Sequence, residues 1–175
     1  RFDLVEACRA DGVHLGQADL DRIQESGTRG QGAQNSESRI LNPNPLHYIR
    51  TILGEDRVIG VSAHASMHLA MEAGEFGADY VAFGAFFPTP TKSPEKIARW
   101  GVPDVELVQR WSEASTLPCV AIGGMLPSNL GPLVTAGADF IAAITGVWNH
   151  LHGPKAAVRE YNAAIMVAQK STIDG

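Results

Sequence analysis

Residues 77–84 read Gly-Ala-Asp-Tyr-Val-Ala-Phe-Gly, and two variants of this stretch occur elsewhere in the chain. Residues 10–16 read Ala-Asp-Gly-Val-His-Leu-Gly, and residues 137–143 read Gly-Ala-Asp-Phe-Ile-Ala-Ala. In each variant a small residue and an aspartate precede several mostly apolar residues, many of them β-branched or aromatic. This pattern predicts a tight turn that leads from a helix into a buried strand.

The spacing of these stretches sets the number of strands. Asp11, Asp79 and Asp139 are 68 and 60 residues apart, and two further apolar runs, residues 57–62 and 118–124, lie between them. The result is five predicted strands at intervals of roughly 30 residues, the length of a strand plus a crossover helix.

Helices are expected between these strands. Apolar residues recur three or four positions apart over residues 64–73, 102–115 and 154–170, which is the spacing of a helix that buries one face. Strands that are buried on both faces and alternate with helices favour an α/β fold with a parallel sheet.

The length of the chain leaves two architectures open. A closed eight-stranded α/β barrel needs about 250 residues, or about 200 at the least, and the chain has 175. It is therefore expected to be either an open doubly wound sheet or a barrel whose first three units lie upstream of Arg1. Either way we expect a single domain over residues 1–175. The polar, glycine-rich residues 24–44 predict a flexible surface loop, with a functional lid as the alternative.

The composition argues against several classes of function. A chain with 45% hydrophobic and 19% charged residues and a net charge of −5 fits one soluble globular domain. A pI of about 5.6 without a Lys/Arg cluster argues against a nucleic-acid partner. No run approaches the roughly 18 apolar residues of a membrane span, so no membrane partner is expected. Cys8 and Cys119 lack metal-ligand spacing and are expected to be reduced core residues of a cytoplasmic protein.

Polar and glycine-rich residues follow the predicted strands, where α/β proteins collect their functional groups. Gly123 and Gly124 would let a ligand approach bare backbone N–H groups, and Thr145-Gly146 offers a hydroxyl and further donors. Because both loops carry this signal, it favours a phosphate site. The alternative is that the glycines only permit tight turns.

Three other strand ends carry candidate chemistry. In residues 89–92 (Thr-Pro-Thr-Lys), Thr89 and Thr91 are expected to present hydroxyls to one side, and Lys92 is a point cation suited to a phosphate or pyrophosphate. Asp19 is equally consistent with a Mg²⁺ ligand and with a helix cap. Ser62 has the chemistry to hydrogen-bond an anionic leaving group, and it lacks the surroundings of a nucleophile.

The histidines have less specific interpretations. His14 lies within a predicted strand and is expected to be a hydrogen-bonded core residue rather than a catalytic base. His64 and His68 are four residues apart on a predicted helix, but the Glu of a zinc-binding H-E-x-x-H motif is absent, which argues against a metal site there.

Together the strand-end sequences resemble those of the thiamine-phosphate synthase family. The resemblance covers nearly the whole chain apart from residues 24–44, and the Thr-x-Thr-Lys element is its most specific part. The matching motifs are Ala-Asp-Gly-Val-His-Leu-Gly-Gln-x-Asp at 10–19, Ile-Gly-Val-Ser-Ala-His at 59–64, Gly-Ala-Asp-Tyr-Val-Ala-Phe-Gly at 77–84, Phe-Pro-Thr-x-Thr-Lys at 87–92, Ala-Ile-Gly-Gly at 121–124 and Gly-Ala-Asp-Phe-Ile-Ala at 137–142.

The resemblance implies a (β/α)₈ TIM barrel whose first three βα units are absent from this chain. It implies a transferase that joins a pyrimidine diphosphate to a thiazole phosphate, with Mg²⁺ as cofactor, and yields thiamine phosphate and pyrophosphate. In the family the bond to pyrophosphate breaks first, and the thiazole nitrogen captures the pyrimidine methyl cation. Catalysis then has to stabilise the departing pyrophosphate and hold the two rings in line.

The resemblance also implies roles for single residues. Asp19 matches one of the family's two magnesium carboxylates, and Ser62 and Lys92 match the residues that contact pyrophosphate. The residues implied to bind the phosphate groups of the two substrates are Thr89, Thr91, Gly124, Ile144 and Thr145.

The sequence also departs from the family pattern. The family's second magnesium aspartate would lie directly before Arg1, and a Gln-x-Arg-x-Lys strand that grips pyrophosphate lies further upstream. We therefore expect a fragment or truncated copy with half of the metal site. One rival function is a non-catalytic phosphate-binding remnant. Another is a thiazole tautomerase, against which the Thr-x-Thr-Lys element argues. The number of subunits stays open, with a homo-oligomer among the alternatives.

Overall fold

The computed structural model describes residues 4–29, 44–90 and 94–173 as alternating strands and helices. In chain order these are β1 (Gly12–Leu15), α1 (Gln17–Arg29), α2 (Pro45–Leu53), β2 (Val58–His64), α3 (Met67–Glu75), β3 (Tyr80–Gly84), α4 (Pro94–Trp100), α5 (Val105–Ala114), β4 (Cys119–Ile122), α6 (Gly131–Thr135), β5 (Phe140–Ala142), α7 (Thr145–Trp148) and α8 (Gly153–Ile173).

The five strands form one sheet in the order β1-β2-β3-β4-β5. β1 and β2 run parallel, with Gly12 opposite Val58, and β4 and β5 run parallel, with Val120 opposite Phe140. The predicted α/β class is therefore confirmed. A doubly wound sheet reverses its strand order at a switch point. The sequential order found here is that of a barrel and contradicts the open doubly wound alternative.

The repeated aspartate joins each of two strands to the one before it. Asp79 Oδ2 accepts a hydrogen bond from the Ile59 backbone N–H at 2.6 Å, and Asp139 Oδ2 accepts one from the Cys119 N–H at 2.8 Å. Each aspartate thus satisfies a backbone donor at the start of the neighbouring strand, which would otherwise lose a partner. The repeat seen in the sequence is a device that fixes strand register.

By its contacts the chain divides into two compact units, Arg1–Ser62 with His68–Val81 and Ala63–Met67 with Ala82–Gly175. In the first unit, Ile49, Ile59 and Val61 are completely buried.

In the second unit, the rings of Phe83 and Trp111 meet edge to face, with centroids 5.6 Å apart. The indole N–H of Trp111 donates to the Leu117 carbonyl at 2.9 Å, so the buried ring keeps its polar group satisfied.

Three sequence-based expectations need correction. The stretch 24–44 is not all loop, because α1 continues to Arg29 and Asn44 caps α2. Residues 30–43 lie outside the described residues. β2 extends to His64, which has a φ of +55°, so His64 does not share a helix with His68. Both cysteines are free as expected, but Cys8 is exposed and only Cys119 is buried.

Burial also sets the chemistry of the second thiol. Removal from water raises the pKa of Cys119 to about 11, so its sulfur stays protonated at neutral pH. Among the described residues, no helix is both long and apolar enough to cross a bilayer.

We expect Asp139→Ala to lower the free energy of unfolding by about 1–3 kcal/mol, because the Cys119 N–H loses a charged acceptor. Asp139→Asn keeps an acceptor oxygen and should cost less. Urea unfolding followed by circular dichroism measures both values. The control is Asp56→Ala, at an exposed residue between α2 and β2. An equal loss in Asp139→Ala and the control would contradict the role of this hydrogen bond.

Candidate active site

A hydrogen-bonded cluster in the first unit links the first three strands. His14 Nε2 lies 2.8 Å from Ser62 Oγ, and His14 Nδ1 lies 3.0 Å from the Tyr80 hydroxyl. The rings of His14 and Tyr80 stack, with centroids 5.5 Å apart and an interplanar angle of 23°. Both nitrogens of the imidazole therefore have a partner.

Strand register explains why these side chains meet. His14 pairs with Gly60, and side chains two residues apart on a strand share a face, so Ser62 lies on the same face as His14. A Cβ at Gly60 would come within 2.0 Å of Tyr80 Cζ. The glycine thus leaves the space in which the tyrosine ring reaches the imidazole.

Two residues of α1 complete the cluster. Gln17 Nε2 donates to the Ser62 backbone carbonyl at 2.9 Å, which anchors the serine from a second side. Asp19 is the third residue of α1, and its Oδ2 accepts from the backbone N–H of Gly16, the residue before the helix, at 2.9 Å. This contact is the acidic half of a capping box. Asp19 thus helps to cap α1 without being its N-cap residue, and its role as a metal ligand stays a prediction.

The donor set at Asp19 suits a magnesium ion only in part. Mg²⁺ takes oxygen ligands and is held by one or two carboxylates together with substrate phosphate oxygens and waters. Asp19 is half-buried and supplies one such carboxylate. Over residues 4–29, 44–90 and 94–173, no group of three or more His, Cys, Asp or Glu side chains could hold a metal ion. The described residues thus supply part of a magnesium site at Asp19, and the remaining oxygen ligands would be phosphate groups, waters or residues outside the described ranges.

The imidazole of His14 and the phenol of Tyr80 are both uncharged at physiological pH. Removal from water lowers the pKa of His14, and the negative charge of Asp19 opposes this shift. Burial also raises the pKa of the Tyr80 phenol. His14 itself lies at an exposed position of β1. The expectation that His14 is a buried core residue is therefore wrong. The expectation that its ring is hydrogen-bonded is confirmed.

In the second unit, the glycine pair after β4 makes a close backbone contact. Gly123 and Gly124 have φ values of +91° and +66°. A Cβ at Gly124 would lie 2.6 Å from the Pro88 carbonyl oxygen and 2.7 Å from Phe87 Cβ. The tight-turn alternative thus has direct support, because packing alone already requires these glycines.

Asn129 holds the same loop, and sequence reasoning missed it. Its Nδ2 donates to the Gly124 carbonyl at 3.0 Å, and its Oδ1 accepts from the Leu126 N–H at 2.8 Å. A lone asparagine five residues after a glycine pair forms no distinctive sequence pattern, so these two hydrogen bonds could not be predicted from the sequence.

The loops after β4 and β5 come together, as expected for the predicted phosphate site. The Tyr161 hydroxyl donates to the Met125 carbonyl at 2.5 Å. A Cβ at Gly146 would lie 2.0 Å from that hydroxyl oxygen and 3.0 Å from the Met125 oxygen. Thr145 begins α7, and Ile144, which precedes it, is 61% exposed.

The remaining predicted site residues follow β3 in the chain. Thr89 is half-buried in the segment that follows β3, whereas Thr91 and Lys92 lie outside the described residues. His64 stacks on Trp100 with ring centroids 4.8 Å apart, and His68 Nε2 lies 3.6 Å from Glu72 Oε1.

A sequential parallel sheet with polar groups in and after its strands defines an α/β protein of the TIM-barrel class. A family profile described as "Thiamine monophosphate synthase" (TMP-TENI) matches residues 42–147. The chain therefore belongs to this family, and the resemblance inferred from its motifs is confirmed.

Individual relatives agree with this assignment. A thiamine-phosphate synthase of Hyphomonas neptunium is 49% identical over 154 residues, which cover 88% of this chain and 57% of the relative. One from Rhodospirillum centenum is 44% identical over 162 residues, which cover 93% of this chain and 64% of the relative. The chain thus spans less than two thirds of the length of these curated relatives.

A solved structure shares the fold. The thiamine phosphate pyrophosphorylase of Pyrococcus furiosus superposes with a TM-score of 0.70 and 27% identity, over 96% of this chain and 65% of that structure.

Replacing Gly124 with Ala should lower the free energy of unfolding by about 1–3 kcal/mol, because a Cβ at positive φ meets the Pro88 carbonyl. Gly131→Ala is the matched control, since a Cβ there has no neighbour within 4 Å, and it should be neutral or stabilise by up to about 1 kcal/mol. Thermal unfolding measures both. Equal stability of the two variants would show that the loop accommodates a side chain.

Proposed function

We propose that this chain performs the thiamine-phosphate synthase reaction on a pyrimidine diphosphate and a thiazole phosphate. The observation that carries the proposal is membership of the family, with relatives of that name at 49% and 44% identity. The Ser62 cluster in one unit and the Gly124 and Thr145 loops in the other add support. Both offer hydrogen-bond donors of the kind that bind phosphate.

The chemistry requires stabilisation of a leaving group. The C–O bond between the pyrimidine methylene carbon and the diphosphate breaks, and its electron pair goes to the pyrophosphate oxygen. The lone pair of the thiazole nitrogen then forms the new C–N bond, so no proton needs to move. Groups that donate hydrogen bonds or positive charge to the departing oxygens lower the barrier.

In this proposal Ser62 donates its hydroxyl hydrogen to the diphosphate, and Lys92 places a positive charge beside it. Thr89 and Thr91 bind phosphate oxygens of the two substrates with their hydroxyls. Mg²⁺, held in part by Asp19, supplies further positive charge to the pyrophosphate when it is bound.

The thiazole phosphate is assigned to the loops of the second unit. Gly124 and Ile144 contribute backbone groups and Thr145 its hydroxyl. Packing already requires a glycine at position 124, and glycine is also the residue type that lets a ligand approach backbone groups closely. We place the reaction in the cytoplasm, and the free state of Cys8 and Cys119 supports a reducing compartment.

The direct test mixes the natural polypeptide that contains this chain with both substrates and Mg²⁺. We expect pyrophosphate and thiamine phosphate to appear in equal amounts, measured by a coupled phosphate assay and by thiochrome fluorescence. Binding of thiazole phosphate without pyrophosphate release would instead identify a non-catalytic phosphate-binding protein. Isomerisation of a thiazole phosphate would identify a tautomerase.

Lys92→Ala should reduce kcat by about 100-fold or more, the usual cost of removing a group that stabilises developing charge. The dissociation constant for thiazole phosphate should change little, since Lys92 is assigned to the pyrophosphate. Lys155→Ala, at an exposed lysine of α8, is the matched control and should behave as wild type. Equal losses in turnover and in thiazole phosphate binding would reject the assignment of Lys92.

A further inference from the structure

The direction of the hydrogen bonds around His14 decides what Ser62 can do. A neutral imidazole has one N–H donor and one acceptor nitrogen. His14 contacts Ser62 through Nε2 and Tyr80 through Nδ1. Only two arrangements of hydrogens satisfy both contacts, and they have opposite consequences for the serine.

In the first arrangement the proton sits on Nδ1 and points to the Tyr80 oxygen. Nε2 is then an acceptor and takes the hydrogen of the Ser62 hydroxyl. The serine would present only oxygen lone pairs to a ligand, and these repel an anion.

In the second arrangement Tyr80 donates its phenolic hydrogen to Nδ1. The imidazole proton then sits on Nε2 and points to Ser62 Oγ. The serine hydrogen is free to point at a ligand. An anion can be bound by Ser62 only in this arrangement of the neutral ring.

The surroundings hold the three groups in place for such a chain of donors. The space at Gly60 lets the Tyr80 ring lie where its hydroxyl reaches Nδ1. Gln17 fixes the Ser62 backbone through its carbonyl. Burial raises the pKa of the Tyr80 phenol, so its hydrogen stays available for donation, and among the charged groups Asp19 acts on the imidazole from α1.

We propose that Tyr80 and His14 are positioning residues that turn the hydroxyl hydrogen of Ser62 toward a bound diphosphate. The identity of the ligand rests on the proposed function, whereas the direction of the hydrogen bonds does not. Hydrogen bonds that point the same way along a chain polarise one another. The Ser62 hydroxyl is thereby a stronger donor than an isolated serine.

The first test reads the hydrogen positions directly. Two-bond ¹H–¹⁵N spectra of the histidine side chains distinguish a proton on Nε2 from one on Nδ1. We expect His14 of the wild type to carry its proton on Nε2, and Tyr80→Phe to give a mixture of both tautomers. A wild-type proton on Nδ1, or an unchanged tautomer in Tyr80→Phe, would overturn the proposal.

The second test measures coupling with inorganic pyrophosphate as the probe, in the presence of Mg²⁺, by titration calorimetry. Tyr80→Phe should weaken pyrophosphate binding about tenfold when Ser62 is present, the effect of one modest hydrogen bond. In a Ser62→Ala background the same change should have no effect. A structural role of Tyr80 would weaken binding equally in both backgrounds, and that result would reject the proposal.

Tyr48→Phe, at an exposed tyrosine of α2, is the control for loss of a phenol and should bind pyrophosphate as wild type does. The outcomes also separate this inference from the proposed function. If the effect of Tyr80→Phe on pyrophosphate binding depends on Ser62 but no thiamine phosphate forms, the positioning role stands and the synthase function is rejected. If thiamine phosphate forms but Tyr80→Phe weakens binding equally in both backgrounds, the synthase function stands and the positioning role is rejected.

Discussion

The hydrogen bonds that Asp79 and Asp139 accept from backbone N–H groups at the starts of β2 and β4 set the register on which the rest of the structure depends. A slip of one residue in a strand turns every side chain to the opposite face. Within the first unit, such a slip would carry Ser62 away from the face that holds His14. The aspartates act at the amino ends of the strands, whereas Ser62, Gly124 and Thr145 lie toward or beyond the carboxyl ends of β2, β4 and β5. Tyr80 is an exception, because it is the first residue of β3. Apart from Tyr80, the residues that fix strand register and these candidate binding residues lie at opposite ends of the strands, an arrangement that is general in barrel enzymes.

The sequence predicts the strands well because three of them follow the repeated Ala-Asp turn and the other two are short apolar runs. The sequence predicts the second half of α1 poorly. Residues 24–29 are polar and include a glycine, so they lack the apolar stripe by which a helix is recognised in a sequence. The extension of β2 to His64 was equally hidden, because a histidine at positive φ is uncommon. Among the candidate site residues, Ser62 and Gly124 were predicted from their places at the ends of apolar runs. Tyr80 and Asn129 were missed. Their contacts, with His14 and with the Gly124 carbonyl, follow from the fold and leave no pattern in the neighbouring sequence.

The glycines after β4 show that packing and binding need not be competing explanations. The Pro88 carbonyl occupies the space where a side chain at position 124 would lie, and this close contact alone requires a glycine there. Glycine is also the residue type that lets a ligand approach backbone N–H groups, as the proposed function requires. A sequence pattern cannot separate these two demands, because one residue type meets both. Asn129 and Tyr161 then hold the loop by its carbonyls, so its conformation is determined by the protein before any phosphate arrives.

Preorganisation differs between the two groups of candidate residues. Ser62 lies within a strand, and contacts reach it from two directions, through its carbonyl and through its hydroxyl. Folding of β1, β2 and β3 therefore already fixes the position of Ser62. In the proposed reaction, little further entropy would be lost at this residue when charge develops on the leaving group. Ile144 and Thr145 instead lie in a loop and the first turn of a short helix, and Ile144 is largely exposed. A group that must stabilise a transition state profits most from rigidity, whereas one that only retains a phosphate can adjust as the ligand binds. Within the proposed function, this contrast favours a division in which Ser62 serves the reacting bond, whereas Ile144 and Thr145 serve substrate binding.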